Sequence, residues 1–421
     1  MPPVSAVVAA WAFSFASPAK AMPELPTNND PTNQIRFDTP AEADAKRQQL
    51  ANWIWPNGLP AAMPNVTKNI SNIQDINGIT RSLFSSVDRL DANVSGMSFH
   101  SISYLVHPTN TANAKQLAIV HQGHRYYDGR LSLGIDTTAN RLLQEGYTVM
   151  LMQMPIKGWN DDHSVVLPSG GTATFSHHDQ MFQSLTPPAI PGGGVFRFFI
   201  EPVVQNINYF KSEVETPGNV AMIGISGGGW TAHLAAAVDP RIKLSIPIAG
   251  SAPLYCRSEE NWGDMEQVYA PLYAEDIGPK PEQNGGGVAT WLEIYALGGY
   301  GDGRREIYVT NKYEPGNVFP GTFPDTFKDI VAGVVDDDLG QGQWEHVYDT
   351  STTEHQISPW TLENVIVPAM ATLDVPEPST CALAATGVLA IGCCGLRKMY
   401  LRRCPGRTWR IGNNRRLSRW N

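Results

Sequence analysis

A serine hydroxyl is a weak nucleophile until the backbone presents it at a sharp bend and a base stands beside it. The stretch Gly224-Ile225-Ser226-Gly227-Gly228 meets the first condition, because it lies between an apolar run, Val220–Gly224, and a helical stretch, Gly229–Val238. As a bare string G-x-S-x-G says little in a chain with 38 glycines. Between a buried strand and a helix it says more. Small residues two before and two after the serine let strand and helix approach without collision, and the Gly227 amide then points outward from a helix N-terminus. A glycine-rich turn with a helix-capping serine is the plain alternative.

Other groups with chemical potential are spread along the chain. His355 follows the apolar run Trp344–Tyr348, whereas His346 sits inside that run and reads as a packed or surface histidine. Glu314 follows the run Glu306–Thr310 just before Pro315-Gly316, with Lys312 close enough for a solvated ion pair of little worth. Asp302 lies in the glycine-rich loop before the same run. His121-Gln122-Gly123-His124 closes another apolar run, and either histidine could instead shape its loop by hydrogen bonding. Asp161-Asp162-His163 and His177-His178-Asp179 bring histidines and acids near one another. They lack an i, i+4 histidine pair on a recognisable helix, and no Cys/His spacing resembles a zinc site. They read as lid, pocket lining or surface, and no metal ligand is expected among them.

These groups need a scaffold. From about Ser85 the chain alternates short apolar runs with helical patterns, which predicts a mostly parallel sheet of about eight strands with helices on both faces. The expected strands are Phe99–Val106, Gln116–Val120, Thr148–Gln153, Val220–Gly224, Leu244–Ala249, Glu306–Thr310 and Trp344–Tyr348. Helices are expected at about Ile135–Gln144, Phe196–Lys211 and Gly229–Val238. Continuous apolar strands imply cover on both faces. Phe196, Phe198 and Phe199 read as a helix packed on that sheet, or as an apolar wall over the site. No internal repeat interrupts this pattern.

With the serine turn and this alternation together, the stretch from Gln116 to Ile357 resembles an α/β-hydrolase of the serine esterase type. That resemblance implies the chain order nucleophile, acid, histidine. It casts Ser226 as nucleophile, Glu314 as acid with Asp302 as rival, and His355 as general base. It casts the Gly227 amide and the His124 amide, with Gly123 as the flexible neighbour, as the oxyanion hole. The implied reaction is hydrolysis of carboxylic esters through an acyl-enzyme, needing neither organic cofactor nor metal. No G-x-G-x-x-G turn follows the first strands, which argues against dinucleotide chemistry. Peptide or amide cleavage by the same triad is the nearest competitor. A non-catalytic surface or matrix protein on a hydrolase scaffold is the competitor from another class. Expected substrates are acylated polysaccharide, polyesters or small acyl esters.

The two ends read as addresses. Val4 to Ala16 is apolar and precedes Ala19-Lys20-Ala21, so residues 1–21 are expected to be a secretory signal peptide. Val375-Pro376-Glu377-Pro378 is followed by the apolar run Cys381 to Leu396 and then Arg397-Lys398 and Arg402-Arg403. This resembles the PEP-CTERM sorting signal of exported Gram-negative bacterial proteins. It implies an exosortase-type processing enzyme as partner, transient inner-membrane anchoring by a short transmembrane segment, and delivery to the cell surface or extracellular matrix. A plain C-terminal anchor is the alternative.

Charge follows the same division. The whole chain carries 31 Lys+Arg against 40 Asp+Glu, a net charge of −9, yet nine of the bases and none of the acids lie from Cys381 onward. The acidic remainder is a poor phosphate-backbone binder, so a nucleic-acid partner is excluded. Of five cysteines only Cys256 precedes that tail, so no internal bridge is expected in the body. The expected organisation is therefore a signal peptide over 1–21, an extension over 22–84 that docks through Trp53, Trp55 and Pro56, a catalytic domain over 85–370 and a sorting signal over 371–421.

Overall fold

Strands that are apolar at every position bury both faces, because successive side chains point to opposite sides. That rule organises the computed structural model, which describes residues 31–124, 131–160, 163–214, 217–257, 263–273, 287–314 and 322–373. The expected signal peptide and the tail from residue 374, with its apolar run, lie outside the described residues. Among the described residues no helix is long and apolar enough to cross a membrane.

The strands are β1 (Asn65–Thr67), β2 (Phe84–Asn93), β3 (His100–Pro108), β4 (Leu117–Gln122), β5 (Thr148–Gln153), β6 (Ser164–Val166), β7 (Thr172–Thr174), β8 (Val220–Ile225), β9 (Ile242–Ile248), β10 (Arg305–Asn311) and β11 (Gln343–Asp349). β6 pairs with β7, and the other described strands form a single sheet in the order β1-β2-β3-β5-β4-β8-β9-β10-β11. The run from β5 through β4, β8, β9 and β10 to β11 is parallel. β1, β2 and β3 form an antiparallel flank joined antiparallel to β5. The principal helices are α1 (Pro40–Ile54), α2 (Ile135–Gln144), α3 (His178–Ser184), α4 (Arg197–Glu213), α5 (Gly227–Val238), α6 (Met265–Val268) and α7 (Trp291–Gly299).

Alternation along β4 and β8 divides the core. Leu117, Ile119, Val220 and Met222 join one apolar cluster with Phe198 of α4, Trp230 of α5 and Trp291 of α7. Ala118, Val120, Ala221 and Ile223 join the other with Ala139, Leu142 and Leu143 of α2 and with Ile366 and Met370 from the helical run over 359–371. A mostly parallel sheet between two helical layers is the expected α/β-hydrolase architecture, one strand larger than read from the sequence. Neither β1 nor β2 is among the seven expected runs, and β2 is the longer. It carries Asp88, Arg89 and Asp91 among its buried apolar residues, as a partly exposed antiparallel strand does, and so reads as extension rather than core.

The segment before β2 packs on the helical layer through specific contacts. Arg36 grips Glu293 with two hydrogen bonds of 2.9 and 2.7 Å, Trp55 Nε1 donates to Glu201 Oε2 at 3.0 Å, and the Trp53 ring lies 5.5 Å from Phe196. Phe196, Phe198 and Phe199 are all buried, Phe199 against Trp230, so α4 is a packed helix of the layer.

The chain runs outward from β4 to β5 on one side and from β8 to β9 on the other. The carboxyl ends of β4 and β8 are therefore a topological switch point, where open parallel sheets leave a crevice.

Candidate active site

Ser226 occupies that crevice by geometry of its own. It is the residue between β8 and α5, with φ 60° and ψ −129°. A side-chain-bearing residue in this region costs about 1–3 kcal/mol and persists only where its surroundings impose it. Here they do. A Cβ on Gly224 would collide with the Gly228 carbonyl oxygen, and one on Gly228 with the His121 carbonyl oxygen. Ser226 N donates to Ile248 O at 2.9 Å, and Trp230 N returns to Ser226 O at 3.0 Å to begin the helix. The hydroxyl is thus held at the sheet's carboxyl edge, half-buried.

The loop after β4 lies directly over this turn. A Cβ at Gly123 would stand 2.6 Å from Ser226 Cβ and 2.8 Å from Gly227 N, so only glycine fits. The next residue, His124, lays its ring over Gly227, whose own Cβ would meet His124 Nδ1 at 2.7 Å. Gly227 opens α5, and the first amides of a helix have no partner within it. Gly123, His124, Ser226 and Gly227 are thus neighbours in space. His121 is buried, with Nδ1 on Gln122 O at 2.9 Å, and burial lowers it to about 4, which keeps it neutral.

On the other side, His355 Nδ1 donates to Glu314 Oε1 at 2.8 Å. The two side chains are 9% and 3% exposed, so water competes little for that bond. Glu314 comes three residues after β10 and His355 six after β11, at the edge that carries Ser226. The loop bearing His355 crosses this edge, because Ile357 N donates to Leu133 O, just before α2, at 2.8 Å. His355 is therefore held between Glu314 beside β10 and the segment beyond β4, the interval from which Ser226 emerges.

Two side chains fix this loop. Asn311, the last residue of β10, donates from Nδ2 to the carbonyls of Glu354 and Gln356, both at 3.0 Å, and so clamps the backbone on either side of His355. Asp349, fully buried at the end of β11, accepts from Ser351 N at 2.7 Å, from Thr361 Oγ1 at 2.6 Å and from Ser358 Oγ. Sequence reading passed over both. The available signal was a polar residue closing a strand at its carboxyl end.

Several sequence alternatives lie elsewhere. Asp302 is exposed at the opposite edge of the sheet, before β10, and its carbonyl accepts from Lys243 Nζ at 2.7 Å. It cannot stand in for Glu314. Lys312 places Nζ 5.3 Å from the Tyr348 ring centroid, an aromatic contact rather than the expected ion pair with Glu314. His346 hydrogen-bonds Thr310 Oγ1 at 2.9 Å within the sheet. His177 is exposed and His163 contacts Phe175 O at 3.2 Å.

His178 behaves otherwise. Its Nδ1 lies 3.0 Å from His124 Nε2, and Glu266 Oε1 lies 2.8 Å from His124 Nε2 and 3.3 Å from His178 Nδ1. Burial alone would raise the Glu266 carboxyl, but His178 and His124 hold it well below the usual carboxylate range. Burial opposes charge on His124, and the attraction of Glu266, aided by Asp264, outweighs it and raises this imidazole. Positions 124, 178 and 266 share no local spacing, so no sequence pattern announces the cluster.

The chain matches no protein-family model and no curated protein. Among solved structures, the methylesterase BT1017 superposes with a TM-score of 0.53 at 14% identity, over 80% of this chain and 64% of that one. The chain thus spans under two thirds of that protein's length. A carbohydrate esterase family 15 glucuronoyl esterase from Caldicellulosiruptor kristjansonii gives a TM-score of 0.47 at 15% identity, over 85% and 93% of the two chains. An acetyl xylan esterase from Paenibacillus sp. R4 gives 0.43 at 14%, over 81% and 98%. At 14% identity the likeness to the methylesterase speaks to the fold alone and leaves function to the site.

Proposed function

We propose that this chain is a serine hydrolase that cleaves carboxylic esters, with Ser226 as nucleophile, His355 as general base and Glu314 as the acid that orients it. One observation carries the reading. A strained serine turn and a buried histidine–glutamate hydrogen bond of 2.8 Å occupy the same edge of a parallel sheet, in chain order nucleophile, acid, histidine.

The chemistry follows from the donors. Glu314 accepts from Nδ1, which leaves His355 Nε2 as the basic nitrogen. Ser226 Oγ bonds to the ester carbonyl carbon while Nε2 takes its proton. The carbonyl oxygen becomes an oxyanion that accepts hydrogen bonds from the Gly227 and His124 amides, each such donor being worth about 2.7–4 kcal/mol. Collapse breaks the bond to the alcohol, which leaves with the proton from Nε2. Water then attacks the acyl-enzyme by the same route, releasing the acid and restoring the serine. Glu314 stabilises the imidazolium in both steps without itself taking the proton.

We assign the substrate class as esters rather than amides, and place the enzyme outside the cytoplasm on the strength of its two ends. Acylated polysaccharide is the favoured substrate for an exported, sorted protein, with small acyl esters next. The test is labelling of the full chain with a fluorophosphonate. Attachment at Ser226, absent in Ser226→Ala, supports the reading. A folded protein that never labels returns the chain to the matrix alternative. Turnover of p-nitrophenyl esters of increasing acyl length against matched anilides then separates ester from amide cleavage.

A further inference from the structure

Three side chains from separate segments point their donor atoms at one another beside the β4 loop: His124 Nε2, His178 Nδ1 and Glu266 Oε1. Their separations are 3.0, 2.8 and 3.3 Å. Donors bound about 2.1 Å from one ion lie roughly 3.0 Å apart in octahedral and roughly 3.4 Å apart in tetrahedral geometry. The triangle therefore has the dimensions of three ligands on one face of a divalent ion.

Proton arithmetic favours a cation there. His178 Nε2 lies 2.9 Å from Pro155 O, and a carbonyl only accepts, so Nε2 carries the hydrogen. In the neutral ring Nδ1 is then a bare lone pair, and the one hydrogen that His124 Nε2 can carry has to serve both it and Glu266 Oε1. Histidines that ligate metals are oriented in this manner, with the outer ring N–H given to a carbonyl. The carboxylate raises the same demand. Glu266 is fully buried, and its Oε2 has no hydrogen-bond partner. An orphan oxygen on a buried ionised group is costly unless something binds it. Asp264 Oδ2 lies 3.4 Å from His124 Nε2, and its half-exposed side chain stands on the solvent side. It supplies a fourth donor atom and marks the way in.

We propose that His124, His178 and Glu266, closed by Asp264, form a binding site for one divalent transition ion of the zinc class. Two imidazoles and a carboxylate suit zinc and its neighbours better than the oxygen-preferring magnesium or calcium. The ion ties the β4 loop, α3 and α6 together. Asp179 already joins the last two by accepting from Met265 N at 3.0 Å. Because the His124 ring lies on Gly227, the ion also steadies the loop next to Ser226. The site does not depend on serine chemistry.

The experiment uses the full chain carrying Ser226→Ala, with its five cysteines alkylated so that thiols cannot compete. After dialysis against EDTA, cobalt(II) is added and followed by visible absorption, then displaced by zinc(II). One cobalt per chain, with ligand-field bands that zinc abolishes and a rise in melting temperature, supports the site. Glu266→Gln and His178→Ala should each weaken zinc binding by more than about 100-fold, beyond the 10–100-fold typical of outer-sphere changes. Absence of saturable cobalt binding to the parent chain overturns the proposal, even if neither variant folds. Undiminished binding in both folded variants overturns it equally, since the pairs His100–Asp91 and His107–Asp88 remain intact there.

Discussion

Two histidine–carboxylate pairs stand at the carboxyl edge of the sheet, and both measure 2.8 Å. His355 meets one carboxylate through Nδ1 and keeps Nε2 for other work. His124 commits Nε2 to a cluster with a second histidine and a carboxylate that lacks a partner for one oxygen. The partners of the first pair sit just beyond adjacent parallel strands, 41 residues apart, whereas His124 and Glu266 are 142 residues apart, on the β4 loop and on α6. Equal distances thus serve unequal ends. A pair with a spare nitrogen can pass a proton, and a closed cluster can only hold its segments together or hold an ion.

The largest expected effect separates the two pairs outright. Ser226→Ala should abolish fluorophosphonate labelling and lower kcat by roughly 10⁴- to 10⁶-fold, and Glu314→Gln by roughly 10⁴-fold with the fold retained. Glu266→Gln should leave kcat within about tenfold and instead lower the melting temperature, because breaking a buried charge pair costs on the order of 3 kcal/mol. Steady-state ester kinetics and thermal denaturation on the same preparations measure both. Similar kinetic losses in Glu314→Gln and Glu266→Gln would erase the distinction.

Next in size is the clamp on the base. Asn311→Ala frees the carbonyls of residues 354 and 356 and should reduce kcat by about 10- to 100-fold with a smaller change in KM, since a misplaced base loses rate before affinity. Asn311→Asp should not rescue it, because a carboxylate cannot donate to two carbonyls. An unchanged kcat in the alanine variant would remove Asn311 from the positioning role.

Acid stability provides a third contrast, with a histidine that has no carboxylate partner. Burial lowers His346 to about 3 from an ordinary value near 6.5. Its folded pKa is therefore the lower one. Below pH 6.5 the unfolded chain takes the proton more readily, so stability present above that pH is lost as pH falls toward 3. Chemical denaturation at pH 7 and pH 4.5 should show a smaller difference for His346→Gln than for the parent. The smallest effect is expected at Asp302→Asn, on the exposed far edge, where activity should not change and stability should shift by less than about 0.5 kcal/mol. A large kinetic loss there would reopen the choice of acid.

Legibility followed the distance over which each feature is encoded. β5 and α2 begin and end where their apolar periodicity does, at Thr148–Gln153 and Ile135–Gln144. β8 and the opening of α5 were readable because the constraint on Gly224 is local, a close approach to the Gly228 carbonyl four residues on. β2 was not, because its charged residues belong to a strand with one face partly in water. Asn311 and Asp349 were hidden for a different cause. Their bonds run to groups 2 to 45 residues away, and nothing about a lone Asn or Asp at a strand end names its partner.

By itself the sequence determined that the parallel strands are present, that both faces of the sheet are covered, and that Ser226 sits at a strand-to-helix bend. Periodicity and close packing are written into consecutive residues. Only the tertiary structure decided that His355 meets Glu314 while Asp302 faces away, and that His178 and Glu266 converge on His124. Those meetings depend on strand order and loop path, which are set by the whole sheet folding at once and leave no trace in the spacing of the residues they unite.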